Sequence, residues 1–195
     1  KGTATITIAV DAVAAEATTP GALLNRIVEA LAALPEARGI DPQAARQLVA
    51  VNPHLRERFP GTAGFDRSPT TDELTGALAD LIGAVADSRP LVLFIDDFHW
   101  GDERSVLVLR GALPMSAAGK IRCVVASRDD ASHQLPDWHT LHLPSLSAEA
   151  LEALIAASLP AIGAMQRPEA AHATLLVTGG VPHYVARAIR RIGEL

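Results

Sequence analysis

A single cysteine, Cys123, in 195 residues rules out an internal disulfide. Its place inside an apolar run marks it as a small buried hydrophobe, and a reducing compartment is expected. No apolar stretch approaches the roughly 18 residues of a membrane span, and no charged segment followed by an apolar one opens the chain, so the expected location is the cytoplasm, with no membrane contact. Basic clusters are missing too. Scattered Lys and Arg, 17 in all, stand against 22 Asp and Glu for a net charge of −5, which argues against a direct grip on nucleic acid. There is no internal repeat, and no low-complexity tract beyond an alanine bias. An initiator methionine is also lacking, and Lys1-Gly2-Thr3 runs straight into strand-like sequence, as expected of a piece cut from a longer polypeptide.

What is present centres on Leu91-Val92-Leu93-Phe94-Ile95, an apolar run that ends abruptly in Asp96 and Asp97. Such a run suits a parallel strand buried on both faces, and parallel sheets bind ligands at the carboxyl ends of their strands. Phosphoryl-transfer ATPases need a carboxylate at that position to hold Mg²⁺ and commonly a second acid to orient the attacking water. The pattern is that of a Walker B strand. The plainer alternative is a buried strand followed by a turn in which Asp97 caps the next helix.

The remaining elements follow from periodicity and punctuation. Thr5 to Val10 alternates β-branched residues as an edge or half-buried strand. Thr19-Pro20 signals a helix carrying Leu23, Leu24, Ile27 and Leu31, and Asp41-Pro42 repeats the signal for a helix through Leu48 and Val51. Residues 52–70 read as an irregular connection. Thr71 is expected to cap a helix with the stripe Leu74, Leu78, Leu81, Ile82 and Val85, and Asp102 to cap one that stops at Pro114. Ile121 to Ala126 forms a second buried strand turning polar at Ser127-Arg128-Asp129-Asp130, and Thr140 to Leu143 a short further strand. Helical patterns follow from Ser147 and on either side of Gly179-Gly180-Val181-Pro182. Strands separated by helices predict an α/β, doubly wound, mostly parallel sheet over residues 1–146 and an all-helical segment over 147–195.

These motifs together resemble the nucleotide-binding domain of STAND-class, AAA-related P-loop ATPases, as found in large ATP-binding LuxR-type transcriptional regulators. The family's strand, Asp-Asp, Leu or Phe, His-Trp, small residue, Asp and Ser-bearing helix are matched by Leu91 to Trp100, Gly101, Asp102 and Ser105. Its next strand, ending in an arginine and an acid, is matched by Cys123 to Asp129. Its link to a helical lid is matched by Leu141-His142-Leu143-Pro144-Ser145-Leu146-Ser147. The likeness spans most of the chain and is sharpest from Thr71 to Glu152 and around Gly180. It implies a three-layer P-loop-type sandwich with a small helical lid, working as an ATP- and Mg²⁺-dependent signalling switch. Asp96 would hold Mg²⁺ through its water shell, and Asp97 would polarise the hydrolytic water. Arg128 would sense the terminal phosphate, Pro182 would lie against adenine, and Gly180 would let the backbone turn. His99 and Trp100 are expected to pack beneath the strand end.

One departure from that family is decisive for activity. A P-loop reads Gly, four residues, Gly-Lys, then Ser or Thr, and no such segment occurs: Gly119-Lys120 leads into a strand, and residues 61–68 lack a lysine. The first strand, loop and helix of the family are expected upstream of Lys1, so this chain alone should bind ATP poorly and hydrolyse almost none. Sheet edges left unpaired would invite self-association, and an effector or DNA-binding domain would lie elsewhere in the parent. A degenerate interaction module that keeps the fold without nucleotide is the alternative. A phosphoacceptor domain fits less well, because no lysine ends a late strand. His139 and His142 lack further ligands for zinc.

Overall fold

The computed structural model describes residues 4–62, 67–116, 119–128, 135 and 138–194. The chain divides into two compact units, Lys1–Trp138 and His139–Leu195, so residues 139–146 group with the helices that follow them.

The first unit is α/β. Three strands, β1 (Ile6–Asp11), β2 (Leu91–Asp96) and β3 (Ile121–Val125), form a sheet in the order β1-β2-β3, parallel throughout. The register pairs Ile6 with Leu91 and Asp11 with Asp96, and Phe94 with Val124. Four helices accompany the strands: α1 (Ala22–Ala32), α2 (Pro42–Val51), α3 (Thr71–Ser88) and α4 (Glu103–Met115). Side chains alternate across a strand, and in β1 that alternation buries Ile6, Ile8 and Val10 while Thr7, Ala9 and Asp11 stay exposed. In β2, Leu91, Leu93 and Ile95 are buried, whereas Val92, Phe94 and Asp96 are half-buried. The expectation of a central strand buried on both faces is therefore corrected: only one face of the sheet is sealed. The sealed face belongs to one core cluster with Leu24, Ile27 and Leu31 of α1, Leu48 of α2, and Leu74, Leu78, Leu81 and Ile82 of α3, each 2% exposed or less. At about 1.5–3 kcal/mol per fully buried large side chain, this core dominates the stability of the unit.

Several helix starts follow local signals. Asp41 caps α2, accepting from the amides of Gln43 (2.7 Å) and Ala44 (3.2 Å), with Pro42 in the first turn. For α3 the cap is Thr70 and not Thr71: its hydroxyl accepts from the Glu73 amide and the Glu73 carboxylate accepts from the Thr70 amide, a capping box that fixes the start one residue earlier. The start expected at Thr19-Pro20 is also displaced. Those residues form a turn, closed by Ala22 N–H donating to the Thr19 carbonyl, and Gly21, at φ 83°, becomes the residue before α1. α4 runs through Pro114 to Met115, keeping the proline in its last turn.

The second unit contains α5 (Ala148–Ser158), α6 (Arg167–Thr178) and α7 (Pro182–Gly193) around Leu151, Ile155, Leu159, Ala171, Val185 and Ile189. The helix expected from Ser147 begins at Ala148, with Ser147 as its cap accepting from the Ala150 amide at 3.2 Å. The strand expected at Thr140–Leu143 does not form. Leu141 and Leu143 have the alternation of a strand but are exposed, 76% and 87%, and no strand pairs with them among the described residues. Among the described residues no helix is long and apolar enough to cross a membrane.

Candidate functional site

The carboxyl end of β2 gathers the charged residues singled out in the sequence. Asp96 is the last residue of the strand, and one of its carboxylate oxygens accepts the Asp97 amide at 2.8 Å. Asp97 sits in the left-handed region at φ 49°, ψ 34°, the one non-glycine residue with positive φ among the described residues. That conformation disfavours most side chains and is tolerated best by Asn and Asp. It is imposed from both sides: Ala126 N–H donates to the Ile95 carbonyl and Phe98 N–H to the Ala126 carbonyl, so the chain must fold back at once. Phe98 is fully buried and anchors the turn.

Arg128 lies just beyond the adjacent strand β3, its Nε 3.8 Å from Asp97 Oδ1. Both groups are solvent-exposed enough for this pair to contribute little stability; it is a placement more than a clamp. His99 Nε2 stands 4.0 Å from the same oxygen. As expected, the imidazole packs inward, its side chain only 10% exposed and its ring tilted against Trp100 at a centroid distance of 4.8 Å, but Trp100, expected to pack there as well, is 38% exposed. What the sequence did not reveal is that both ring nitrogens are buried without a hydrogen-bond partner among the described residues.

A third acid was missed. Asp11 ends β1 and is the register partner of Asp96; carrying the alternation one residue beyond Val10 would have found it. These carboxylates do not make a closed metal cage, since no group of three or more potential ligands arises among the described residues. Asp129 and Asp130, candidate partners of Arg128, lie outside the described residues.

Asp102 and Ser105 turn out to be structural. The Asp102 carboxylate, 4% exposed, accepts from the amides of Gly21 (2.7 Å), Leu23 (3.2 Å) and Ser105 (3.0 Å) and from the Ser105 hydroxyl (2.6 Å). Ser105 Oγ in turn accepts from the Leu24 amide at 2.8 Å. Two side chains thus cap α1 and α4 at once, α1 from 79 to 81 residues away. Burial works against the charge on Asp102, yet the hydrogen bonds from the Ser105 hydroxyl and from the amides of Gly21, Ser105 and Leu23 outweigh it and hold the carboxyl below its ordinary range. Gly101 fits the same clip: a Cβ there would sit 3.0 Å from the Phe98 carbonyl and 3.2 Å from Leu23 Cδ2. Burial also pushes the Cys123 thiol up to about 12, so it is an inert, half-buried residue.

In the second unit, Gly180 (φ 70°) follows Gly179 (φ 60°), and a Cβ on Gly180 would collide with the Leu146 carbonyl. Gly180 in turn accepts from the Leu146 amide at 2.8 Å. Glycine is therefore required where the interhelical turn crosses the chain entering α5, and Pro182 occupies the first turn of α7. Neither family models, nor curated proteins, nor solved structures provide a match to this chain.

Proposed function

We propose that the chain is part of the ATP-binding switch domain of a STAND-class signalling ATPase of the LuxR-regulator kind, contributing the metal-facing and water-facing side of its nucleotide site. The observation that carries this is the juxtaposition at one end of a parallel sheet: Asp96 closing the central strand, Asp97 in a left-handed turn, and Arg128, just beyond the next strand, 3.8 Å from it. In this reading Asp96 bears on Mg²⁺ through water. With one oxygen engaged by the Asp97 amide, its other lone pairs suit a hydrated cation, which needs only one or two carboxylates beside waters and phosphate oxygens. Mg²⁺ would supply neutralisation of phosphate charge. Asp97 holds and polarises a water, His99 backs Asp97 from the buried side, and Arg128 offers its planar fork to a phosphate oxygen. Gly180 and Pro182 are assigned to adenine by the resemblance alone.

The reading requires a phosphate-cradling loop from outside these 195 residues, since the carboxylates alone cannot fix the phosphates. The degenerate-module alternative is favoured by that same lack, and nuclear magnetic resonance separates the two. Titrating the isotope-labelled chain with Mg²⁺-ATP should shift the resonances of Asp97, His99 and Arg128 with an apparent affinity on the order of millimolar, and Asp96→Asn with Arg128→Gln should abolish the shifts. No shift at these residues would overturn the nucleotide reading. Micromolar binding would overturn the claim that the cradle is missing.

A further inference from the structure

We propose that a second anion site, independent of the carboxylate pair, occupies a cavity of about 530 Å³ beside α2 and takes a small phosphate monoester with a compact apolar body. Its walls are the end of the short 3₁₀ stretch Pro35–Gly39, the first two turns of α2, and the segment Glu57–Thr62. Arg38, Arg46 and Arg58 all line it, and all three are exposed at its rim.

These guanidinium groups contrast with others in the unit. Arg26 pairs with Glu16, Arg67 with Glu73 and Arg89 with Glu36, whereas among the described residues none of the three at the cavity takes part in an ion pair or side-chain hydrogen bond. Against them stands the single carboxylate of Glu57, so the lining carries +2 in a chain whose net charge is −5. Like charges gathered around a concave surface raise the local concentration of anions, and the rigid guanidinium fork suits phosphate oxygens.

The floor specifies the rest of the ligand. Ile40 and Phe59 are 8% and 6% exposed, an apolar base beneath the charged rim. The wall is held in place by the Thr62 hydroxyl, which donates to the Phe59 carbonyl at 2.8 Å across a turn containing Gly61 at φ 85°. Asp41 already occupies the first amides of α2, so the grip falls to side chains and not to the helix end. Glu36, in the same 3₁₀ stretch as Arg38, pairs with Arg89 just before β2 begins. The cavity therefore lies toward the opposite end of the sheet from Asp96.

The probes are phenyl phosphate, inorganic phosphate and benzyl alcohol, titrated into the intact chain at low salt and followed by calorimetry. Phenyl phosphate should saturate, binding roughly tenfold or more tightly than inorganic phosphate, and benzyl alcohol should not bind. The double variant Arg46→Gln/Arg58→Gln should weaken phenyl phosphate by about tenfold or more. Arg56→Gln, an exposed neighbour outside the lining, should leave it unchanged. These are surface replacements, and circular dichroism confirms that each variant is folded before titration. Lack of saturation by about 10 mM, equal affinity for inorganic phosphate, undiminished binding by the double variant, or an equal loss in Arg56→Gln would each overturn the assignment.

Discussion

Replacing Asp102 should be among the most damaging single changes in the first unit, although it touches no proposed reacting group. Alanine at this position removes a buried carboxylate from three backbone amides and one hydroxyl. A hydrogen bond to a charged group is worth about 1.5–3 kcal/mol, and orphaned buried donors cost about 1–3 kcal/mol each. Water entering the vacated space satisfies some donors, and neighbouring losses do not add, so the expected cost is roughly 3–5 kcal/mol. Asn keeps one acceptor oxygen but turns an amide toward another donor, so it should lose about half as much, roughly 1.5–3 kcal/mol. Ser105→Ala, which strips the acceptor from the Leu24 amide, should cost about 1–2 kcal/mol.

The assay follows from where the fluorophores sit. Trp100 and Trp138, the only tryptophans, both belong to the first unit, so urea denaturation read by tryptophan fluorescence reports that unit alone. Asp102→Ala should lower its melting temperature by on the order of 10–15 °C. The double variant with Ser105→Ala should be less damaging than the sum of the two, because the residues share one network. A loss below about 1 kcal/mol for Asp102→Ala would refute the double-cap account.

Three further outcomes are expected. Asp97→Gly should stabilise the unit by about 0.5–1 kcal/mol by relieving the left-handed backbone, while Asp97→Val should destabilise it; equal melting points for the two would show that the turn is not strained. Gly180→Ala should loosen the second unit by about 2 kcal/mol or more, visible as faster amide exchange in α5–α7 with the tryptophan transition unmoved. Hydrogen bonding to Arg67 and the Thr70 amide lowers the Glu73 carboxyl to about 2, so its contribution is complete above its ordinary value near 4.5 and is lost as pH falls toward about 2. Glu73→Gln should therefore flatten the acid limb of the stability profile over that range, and an unchanged profile would count against the capping box as a stabilising contact.

Local signals were legible where the chemistry is local. Asp41-Pro42 and Asp102 announce their helices because cap and helix are contiguous, and the end of β2 at Asp96 and the turn after β3 that carries Arg128 show as changes from apolar to polar residues. With Thr70 and Thr71 both able to cap, only the glutamate three positions after Thr70 decides between them. The start of α1 could not be read locally, because its amides are satisfied by side chains far along the sequence. Leu141 and Leu143 alternate like a strand, yet alternation specifies only which side chains share a face; a strand also needs a neighbour. The unpartnered nitrogens of His99 are likewise a tertiary property, since the sequence shows the imidazole but not the groups around it.

The open face of the sheet and the acids at its carboxyl end share one side. Alternation along β2 places Asp96 with Val92 and Phe94, and the register sets Arg122 and Val124 of β3 beside those two, while Asp11 shares its side of β1 with Thr7 and Ala9. All-parallel sheets are nearly always covered on both faces, yet here Val92 and Phe94 are only half-buried and Val124 is 49% exposed. Any element that buried those apolar side chains would stand directly beside Asp96 and Asp11. A helix running antiparallel to the strands would bring its amino-terminal end, with free amides and a positive dipole, to the two carboxylates and its opposite end toward Arg122. Backbone amides aimed at the carboxyl end of β2 are what a phosphate would need there. On the proposed nucleotide reading, covering the apolar face and presenting amides to a phosphate are thus tasks that one helix would perform in one position.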